Sequence, residues 1–482
     1  MGVDVVRPLQ LRRWPGRHMP SDQFARPRQR IGANAAFAMG LWALLWLGYN
    51  TGPEYFTDPS SPASLAGFIH GVRAFFPMLA AWLAVALMLL RSSRVFIWLM
   101  GPLGLMLLYA VTGLVSSATL SPDPINALYF GANYLSIVLV LLAIVAVEDP
   151  LADLRRVLNL TWVVGITLTI GLLGAIPILG SQAVVENEPG PMGLRVYNGS
   201  GTIMGMAATR NTGFARYAAV SALVALPGLM RKGKLAIRML WGGVFAASMY
   251  ALVIANGRTE TLAFVGGVVL ILGAEKARRT VNFLIAAGVA ILLGLRGFYY
   301  QFYLYITRTG HVDITMTGRT LTWDDGLRLL WKSPWVGFGF QADRYFLGQH
   351  MHNAFLHVLV QSGLLGGGVI LIGLAIVWYY LIKYFFIKVP ADKTLVPPEI
   401  PAVLLFVTIS SITESTFAYF SAAWLLSAPI VAYVMALHRH MQRISAKGAQ
   451  ERGDQIRFAR RNFRNLGSSM TSPPPPGEGI PD

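Results

Sequence analysis

The chain contains no cysteine. Disulfides, thiolate metal sites and cysteine nucleophiles are therefore excluded, although the compartment stays open. Charge is scarce as well. Asp, Glu, Lys and Arg make up 13% of the 482 residues, about half the share of an ordinary soluble domain. Acidic residues are the rarer sign, 23 against 40 Lys and Arg. No Walker A stretch is present, so ATP is not the energy source. Apolar residues take the place of charge: 54% of the chain is hydrophobic and the mean hydropathy is +0.52. Its aliphatic runs reach the roughly 20 residues that a spanning helix needs. These properties describe an all-α polytopic membrane protein.

The net charge of +17 does not imply a nucleic-acid partner. Lys and Arg cluster between apolar runs and in both tails, which is the positive-inside pattern. Twelve spanning helices are expected, near 33–49, 74–90, 95–116, 127–147, 160–180, 213–230, 238–255, 260–275, 281–295, 354–382, 400–413 and 418–437. With the N-terminus inside, the inner loops are Arg91–Arg94, Glu148–Arg156, Arg231–Arg238, Glu275–Arg279 and Lys383–Lys393, and each holds Lys or Arg. The outer loops 50–63 and 117–126 carry Glu54, Asp58 and Asp123 without Lys or Arg. Five regions are expected: a basic cytoplasmic tail over 1–31, nine helices over 32–295, a large periplasmic loop over 296–353, three helices over 354–437, and a basic, then Pro-rich cytoplasmic tail over 438–482. The first tail holds Arg7, Arg12, Arg13, Arg17, Arg26, Arg28 and Arg30, a composition suited to anionic lipid. The first apolar run starts late and leads into an acidic loop, which argues against a signal peptide. The expected place is a bacterial inner membrane, with both termini cytoplasmic.

Two outer loops are long, about 181–212 and 296–353. In the second, Leu321, Leu327, Leu330 and Trp331 recur at helical spacing. An amphipathic helix over 320–332 is expected there, lying on the membrane or capping a cavity, with Pro334, Gly337 and Gly339 ending it. The stretch from Gly318 to Gly368 runs from this polar, aromatic loop into an apolar glycine-rich helix, with His352-Asn353 at the junction.

The expected outer half gathers ionisable residues beside apolar helices: Arg210, Arg216, Arg258, Arg319, His352 and Glu414. Such groups are costly near membrane depth and tend to be functional. Arginines with one histidine and one carboxylate suit an anionic ligand carrying two or more phosphates. Arg offers planar paired donors and stays charged; His accepts a proton from a hydroxyl near neutral pH. Each residue also has a structural reading. Arg216 and Arg258 could be snorkelling anchors, His352 a polar helix start, Glu414 the partner of an arginine, and Arg319 the organiser of its loop. Asp324-Asp325 lacks the D-x-D spacing of metal-dependent sugar transferases and reads as solvated acids at a helix N-terminus. His311, His350 and His357 are weaker candidates. No metal or other cofactor is expected.

The segment Gly318–Gly368 resembles the O-antigen ligase/polymerase family of bacterial envelope enzymes. The family pattern R-x-x-x-W, P-x-x-G-x-G, then His-Asn opening a helix with G-x-x-G, is met by Arg319 and Trp323, by Pro334, Gly337 and Gly339, and by His352-Asn353, Leu356, Gly363 and Gly366. A small-residue–Arg motif is matched by Ala255-Asn256-Gly257-Arg258, which keeps the arginine but not the serines. The stretch Arg210-Asn211-Thr212-Gly213-Phe214-Ala215-Arg216 is similar to a further helix entry, and leaves Arg210 and Arg216 as alternative counterparts.

The resemblance implies a glycosyltransferase-C-like fold with an outer-face site. It also implies metal-independent, inverting transfer of a glycan from undecaprenyl pyrophosphate to an acceptor hydroxyl. Catalytic roles then fall to His352, Arg258 and Glu414, and binding of pyrophosphate or glycan to Arg210, Arg216, Arg319 and Asn353. The acceptor would be lipid A–core in a ligase, or a second lipid-linked unit in an O-antigen or exopolysaccharide polymerase. A chain-length regulator protein is a family-based expectation. A lipid-linked oligosaccharide transporter is the reading from another class. It predicts two pseudo-symmetric halves, which the sequence does not display.

Overall fold

The computed structural model describes residues 33–49, 71–90, 92–147, 150–179, 185–186, 209–231, 233–255, 257–274, 319–385, 388–389, 393–394 and 396–470. Its helices are α1 (Ala33–Leu47), α2 (Phe76–Leu90), α3 (Ser92–Leu99), α4 (Pro102–Leu120), α5 (Pro124–Val145), α6 (Pro150–Leu179), α7 (Asn211–Met230), α8 (Leu235–Ala255), α9 (Arg258–Ala274), α10 (Arg319–Lys332), α11 (Ala342–Leu347), α12 (Ala354–Gly363), α13 (Val369–Phe385), α14 (Glu399–Ser410) and α15 (Ala422–Met470). The strands described are two-residue pairings, 185–186 parallel to 209–210 and 388–389 antiparallel to 393–394.

Eight described helices are long and apolar enough to cross a membrane. Two shorter apolar helices stand where 33–49 and 400–413 were expected, and α9, ending at Ala274, stands where 260–275 was expected. The expected span 281–295 lies outside the described residues, as does His311. Large apolar side chains point outward on the spans, among them Trp82, Leu89 and Leu90 on α2 and Leu235, Met239 and Leu240 on α8. Apolar faces of that extent on a water-soluble chain would drive association, and in lipid they need no cover. The protein is a multi-pass membrane protein.

Several boundaries move for local reasons. The expected 95–116 span is split at Gly101, whose extended backbone ends α3 before Pro102 starts α4; Pro suits a first helical turn, where its missing N–H goes unused. The expected 418–437 helix starts at Ala422 and continues to Met470. Glu414 lies in the 411–421 connection between α14 and α15.

The chain divides into two compact units. The first holds residues 1–43, 164–313 and 381–410, and the second 44–163, 314–380 and 411–482. In the first, α7 packs against α8 and α9, and α14 packs on α9. Small residues set these distances: a Cβ on Gly228 would lie 2.7 Å from the Trp241 ring, and one on Gly267 would lie 2.7 Å from Leu223. Close backbone approach of this kind drives helix association in lipid, where the hydrophobic effect between helices is absent.

In the second unit α5 is the buried centre, packed against α2, α4 and α15. Phe340, from the loop before α11, is wholly buried against Tyr109 of α4 and Tyr134 of α5, with ring centroids 5.7 and 5.9 Å away. A Cβ on Gly113 or Gly131 would meet its ring at 2.7 Å, so two glycines make the slot it fills.

The expected 354–382 helix is interrupted. Ser362 leaves helical geometry, Gly363 turns to φ +59°, and residues 364–368 form a π-turn before α13. Backbone groups freed inside a membrane must find partners, and the loop Pro334–Gly339 supplies them. Phe338 and Gly339 donate to the Val360 and Gln361 carbonyls at 2.9 and 2.8 Å, while Leu364 and Leu365 donate to the Pro334 and Trp335 carbonyls at 2.8 and 3.0 Å. The P-x-x-G-x-G motif is thus a backbone splint across a broken helix. The glycines 363–368 are largely spent on packing: a Cβ on Gly367 would lie 2.4 Å from the Val358 carbonyl oxygen.

Candidate active site

The second unit has chemically distinct ends. At one, Tyr345 donates to the Asp123 carboxylate at 3.3 Å, and that carboxylate also caps α5. At the other, the Arg439 guanidinium lies over the Trp98 ring at 4.2 Å and the His438 ring stacks on Tyr380. The start of α12, with His352 before it, belongs to the Asp123 end.

Helix α10 forms the first wall of the site. Its buried face is Thr322, Gly326, Leu329 and Leu330. Of the four apolar residues that mark the expected helix, Leu321, Leu327 and Trp331 are exposed and Leu330 turns inward. Leu321, Leu327 and Trp331 share the outward side, whereas Gly326 on the inner side allows close contact: a Cβ there would lie 2.4 Å from Met351 Sδ. Asp324 and Asp325 are exposed, beyond the first turn, and Asp324 pairs with Arg328 at 2.8 Å.

One turn apart on α10, Arg319 and Trp323 hold the two segments that carry the histidine and the carboxylate. Arg319 Nη1 donates to the Thr413 carbonyl at 2.8 Å, and Nη2 lies 3.5 Å from Glu414 Oε1. Trp323 Nε1 donates to the Met351 carbonyl at 2.8 Å. Between them, His352 Nδ1 lies 3.4 Å from Glu414 Oε2. The R-x-x-x-W spacing is the distance between these two anchors, since residues four apart share a helix face.

His352 has φ +51°. Positive φ is costly for a residue with a Cβ and tends to persist at functional sites. Here Trp323 holds the carbonyl before it and Asn353 the residue after it. Asn353 is the N-cap of α12: its Oδ1 accepts from Leu356 N–H at 3.0 Å. The Ala354 N–H bonds the Ser411 carbonyl at 2.9 Å, tying the turn to the 411–421 connection.

Behind His352 lies a group that the sequence left in the background. Asp343 and His357 are wholly buried and His350 nearly so. His350 Nδ1 meets Asp343 Oδ2 at 2.7 Å, and His357 Nε2 stands 3.1 Å from Asp343 Oδ1. His357 Nδ1 bonds Ser415 Oγ at 2.9 Å. One ligand atom from each of Asp343, His350 and His357 falls within 4.8 Å of the others, a donor set that suits a divalent transition metal. The 2.7 Å contact is already a short charge-assisted hydrogen bond, so the three groups also hold together by themselves. His350 and His357 read alone are unremarkable; Asp343 carries no motif, and only the turn at Gln341, φ +62°, aims α11 so that it meets them.

In the first unit, Arg216 Nε lies 3.3 Å from Glu260 Oε1, and the Glu260 side chain is buried. Gly257 abuts Ala215, where a Cβ would come within 2.7 Å, so the starts of α7 and α9 are adjacent. Arg258 is the first residue of α9 and is half-buried. Arg210 lies in the two-residue strand that pairs in parallel with 185–186. His352, Glu414, Arg319 and Asn353 are thus assembled in the second unit, while Arg210, Arg216 and Arg258 belong to the first. Glu260 was missed from the sequence. Its position two residues after Arg258, in a first helical turn, was the available signal.

Residues 241–371 match the family model described as O-antigen ligase. That span takes in Arg258, Arg319, His352 and the glycine-rich break. A relative, the exopolysaccharide production protein ExoQ of Rhizobium meliloti (strain 1021), is 31% identical over 98 residues, which is 17% of this chain and 19% of the relative. The segment that builds the His352 turn is thus similar to the O-antigen ligase family.

Proposed function

We propose that the protein transfers a glycan from undecaprenyl pyrophosphate to an acceptor hydroxyl. The observation that supports this most is the Arg319–Glu414–His352 arrangement, a histidine backed by a carboxylate at the end of a membrane bundle. The acceptor oxygen attacks the anomeric carbon with inversion. Its proton passes to His352, whose imidazolium Glu414 stabilises. The glycosyl–oxygen bond to the pyrophosphate breaks, and the electron pair leaves with undecaprenyl pyrophosphate. Arg258 and Arg216 or Arg210 stabilise that leaving charge, a task fixed cations perform well in a site of low dielectric. Arg319 and Asn353 shape the turn on which His352 stands. The His352 end is the outer, periplasmic one on the positive-inside rule, since the opposite end of the second unit carries Arg439 and the basic part of α15. Both termini are then cytoplasmic, and the membrane is the bacterial inner one.

The acceptor we propose first is lipid A–core, as in a ligase. A repeat-unit polymerase is the second reading, because the relative's name ties that protein to exopolysaccharide production. Deletion of the gene tests both. Full-length polymer stranded on the lipid carrier, with bare lipid A–core, would support the ligase. Single unpolymerised units would support the polymerase. Lipid-linked units trapped on the inner face would show transport and overturn the transferase reading.

A further inference from the structure

Asp343 is a fully buried carboxylate that the proposed reaction does not use. An unpaired carboxylate in such a place costs several kcal/mol, so its surroundings decide its state. On Oδ2 it accepts from His350 Nδ1 at 2.7 Å and from Met351 N–H at 3.1 Å. His357 Nε2 is 3.1 Å from Oδ1, not aligned as a hydrogen bond. Burial works against the carboxylate's charge, but the His357 and His350 imidazoles outweigh it and hold its pKa well below the ordinary range.

His357 is fixed from its far side. The Tyr109 hydroxyl meets both the Gln361 amide and the Ala418 carbonyl. The Tyr109 hydroxyl faces Gln361 Oε1, and the Gln361 amide nitrogen lies 2.8 Å from His357 Nε2.

Burial pushes His350 down to about 4 against the pull of Asp343, so it is a neutral imidazole at neutral pH. With its Nδ1 proton on Asp343, the other nitrogen keeps a lone pair. The ring stands edge-on to His352, centroids 4.6 Å apart, and also faces His357 and Tyr419. His352 is faced in turn by Glu414, which holds Arg319, and by His350.

We propose that Asp343 is a positioning residue for the transfer: through His350 it holds a neutral imidazole against His352, so that the proton taken from the acceptor stays on His352 beside Glu414. This rests on the reading of His352 as the base. Without Asp343, His350 is free to change tautomer and rotate. The cluster also loses a negative charge that favours a protonated imidazole.

The test uses purified full-length protein, with the host's undecaprenyl-pyrophosphate-linked glycan as donor. Asp343→Asn keeps the shape of the side chain. We expect kcat to fall about tenfold or more, donor KM to stay within about twofold, and the acid limb of the kcat profile to move about half a pH unit lower. His350→Gln should lower kcat in the same way, and it decides the matter if Asp343→Asn fails to fold. Wild-type kcat and pH profile in both variants would overturn the proposal. So would stoichiometric zinc, manganese or iron in the purified wild type that Asp343→Asn loses, since the group would then be a metal centre. His352→Gln separates the two readings. If it stays fully active, the base assignment falls; if it is inactive while Asp343→Asn is normal, only the positioning role falls.

Discussion

The Glu414 carboxylate lies 3.4 Å from Nδ1 of His352, across 62 residues of sequence. The same carboxylate is 3.5 Å from Arg319. Both contacts are longer than a strong charged hydrogen bond, and catalytic contacts of this kind shorten when substrate arrives. Glu414→Gln keeps the shape and removes the charge. Transfer should fall about 10- to 100-fold, with the protein still inserted in the membrane. Full transfer by this variant, read as surface glycan on a gel, would leave Glu414 a structural residue only.

Asn353 distinguishes capping from ligand binding. Its Oδ1 is engaged with Leu356 N–H. Asn353→Ala should therefore cost about 1 kcal/mol, visible as a lower melting temperature in detergent, and Asn353→Asp should restore most of it. A melting point unchanged in Asn353→Ala would move the role of this residue wholly to the ligand.

The splint across the broken helix depends on positive φ at two glycines that face backbone. A Cβ on Gly363 would lie 2.2 Å from the Trp335 carbonyl carbon, and one on Gly337 would lie 2.5 Å from the Gln361 carbonyl carbon. Neither neighbour can turn away. Gly363→Ala and Gly337→Ala should each cost about 3 kcal/mol or more and leave little folded protein. Gly348, φ +65° with nothing within 4 Å, is the control. Gly348→Ala should cost about 1 kcal/mol, so that expression levels rank the three variants.

Glu260 and Arg216 form a buried pair in the first unit. Removing one partner of such a pair costs about 3–5 kcal/mol, because the other charge is left behind. Glu260→Ala should lower the melting temperature strongly. A melting point within a degree or so of wild type would mean that the pair is solvated.

His350 makes stability depend on pH. Its folded pKa, about 4, lies below the ordinary 6.5. As pH falls below 6.5 the unfolded chain takes up a proton that the folded chain refuses, so stability falls and levels off near 4. Each pH unit is worth about 1.4 kcal/mol at most, or about 3 kcal/mol over the window. Melting curves at pH 7.5 and 5 check this: wild type should lose more than His350→Gln.

The class of the protein was legible in the composition, because spanning helices follow from long apolar runs and scarce charge, both one-dimensional properties. His352, Glu414 and the arginines were legible as types, since an ionisable group among apolar residues stands out without any fold. The segment around α10 was only half legible. Helical spacing located it, but which face turns inward depended on Gly326 and Met351, which meet across the tertiary structure. The break in α12 and its repair by residues 334–339 depended on hydrogen bonds between distant backbone groups, which no local pattern encodes. The pairing of Glu414 with His352 and Arg319, and the burial of Asp343 against His350 and His357, were decided in the same way. Charge and burial are properties of a place in space, and the chain reaches that place only after α10, α12 and the 411–421 connection have packed.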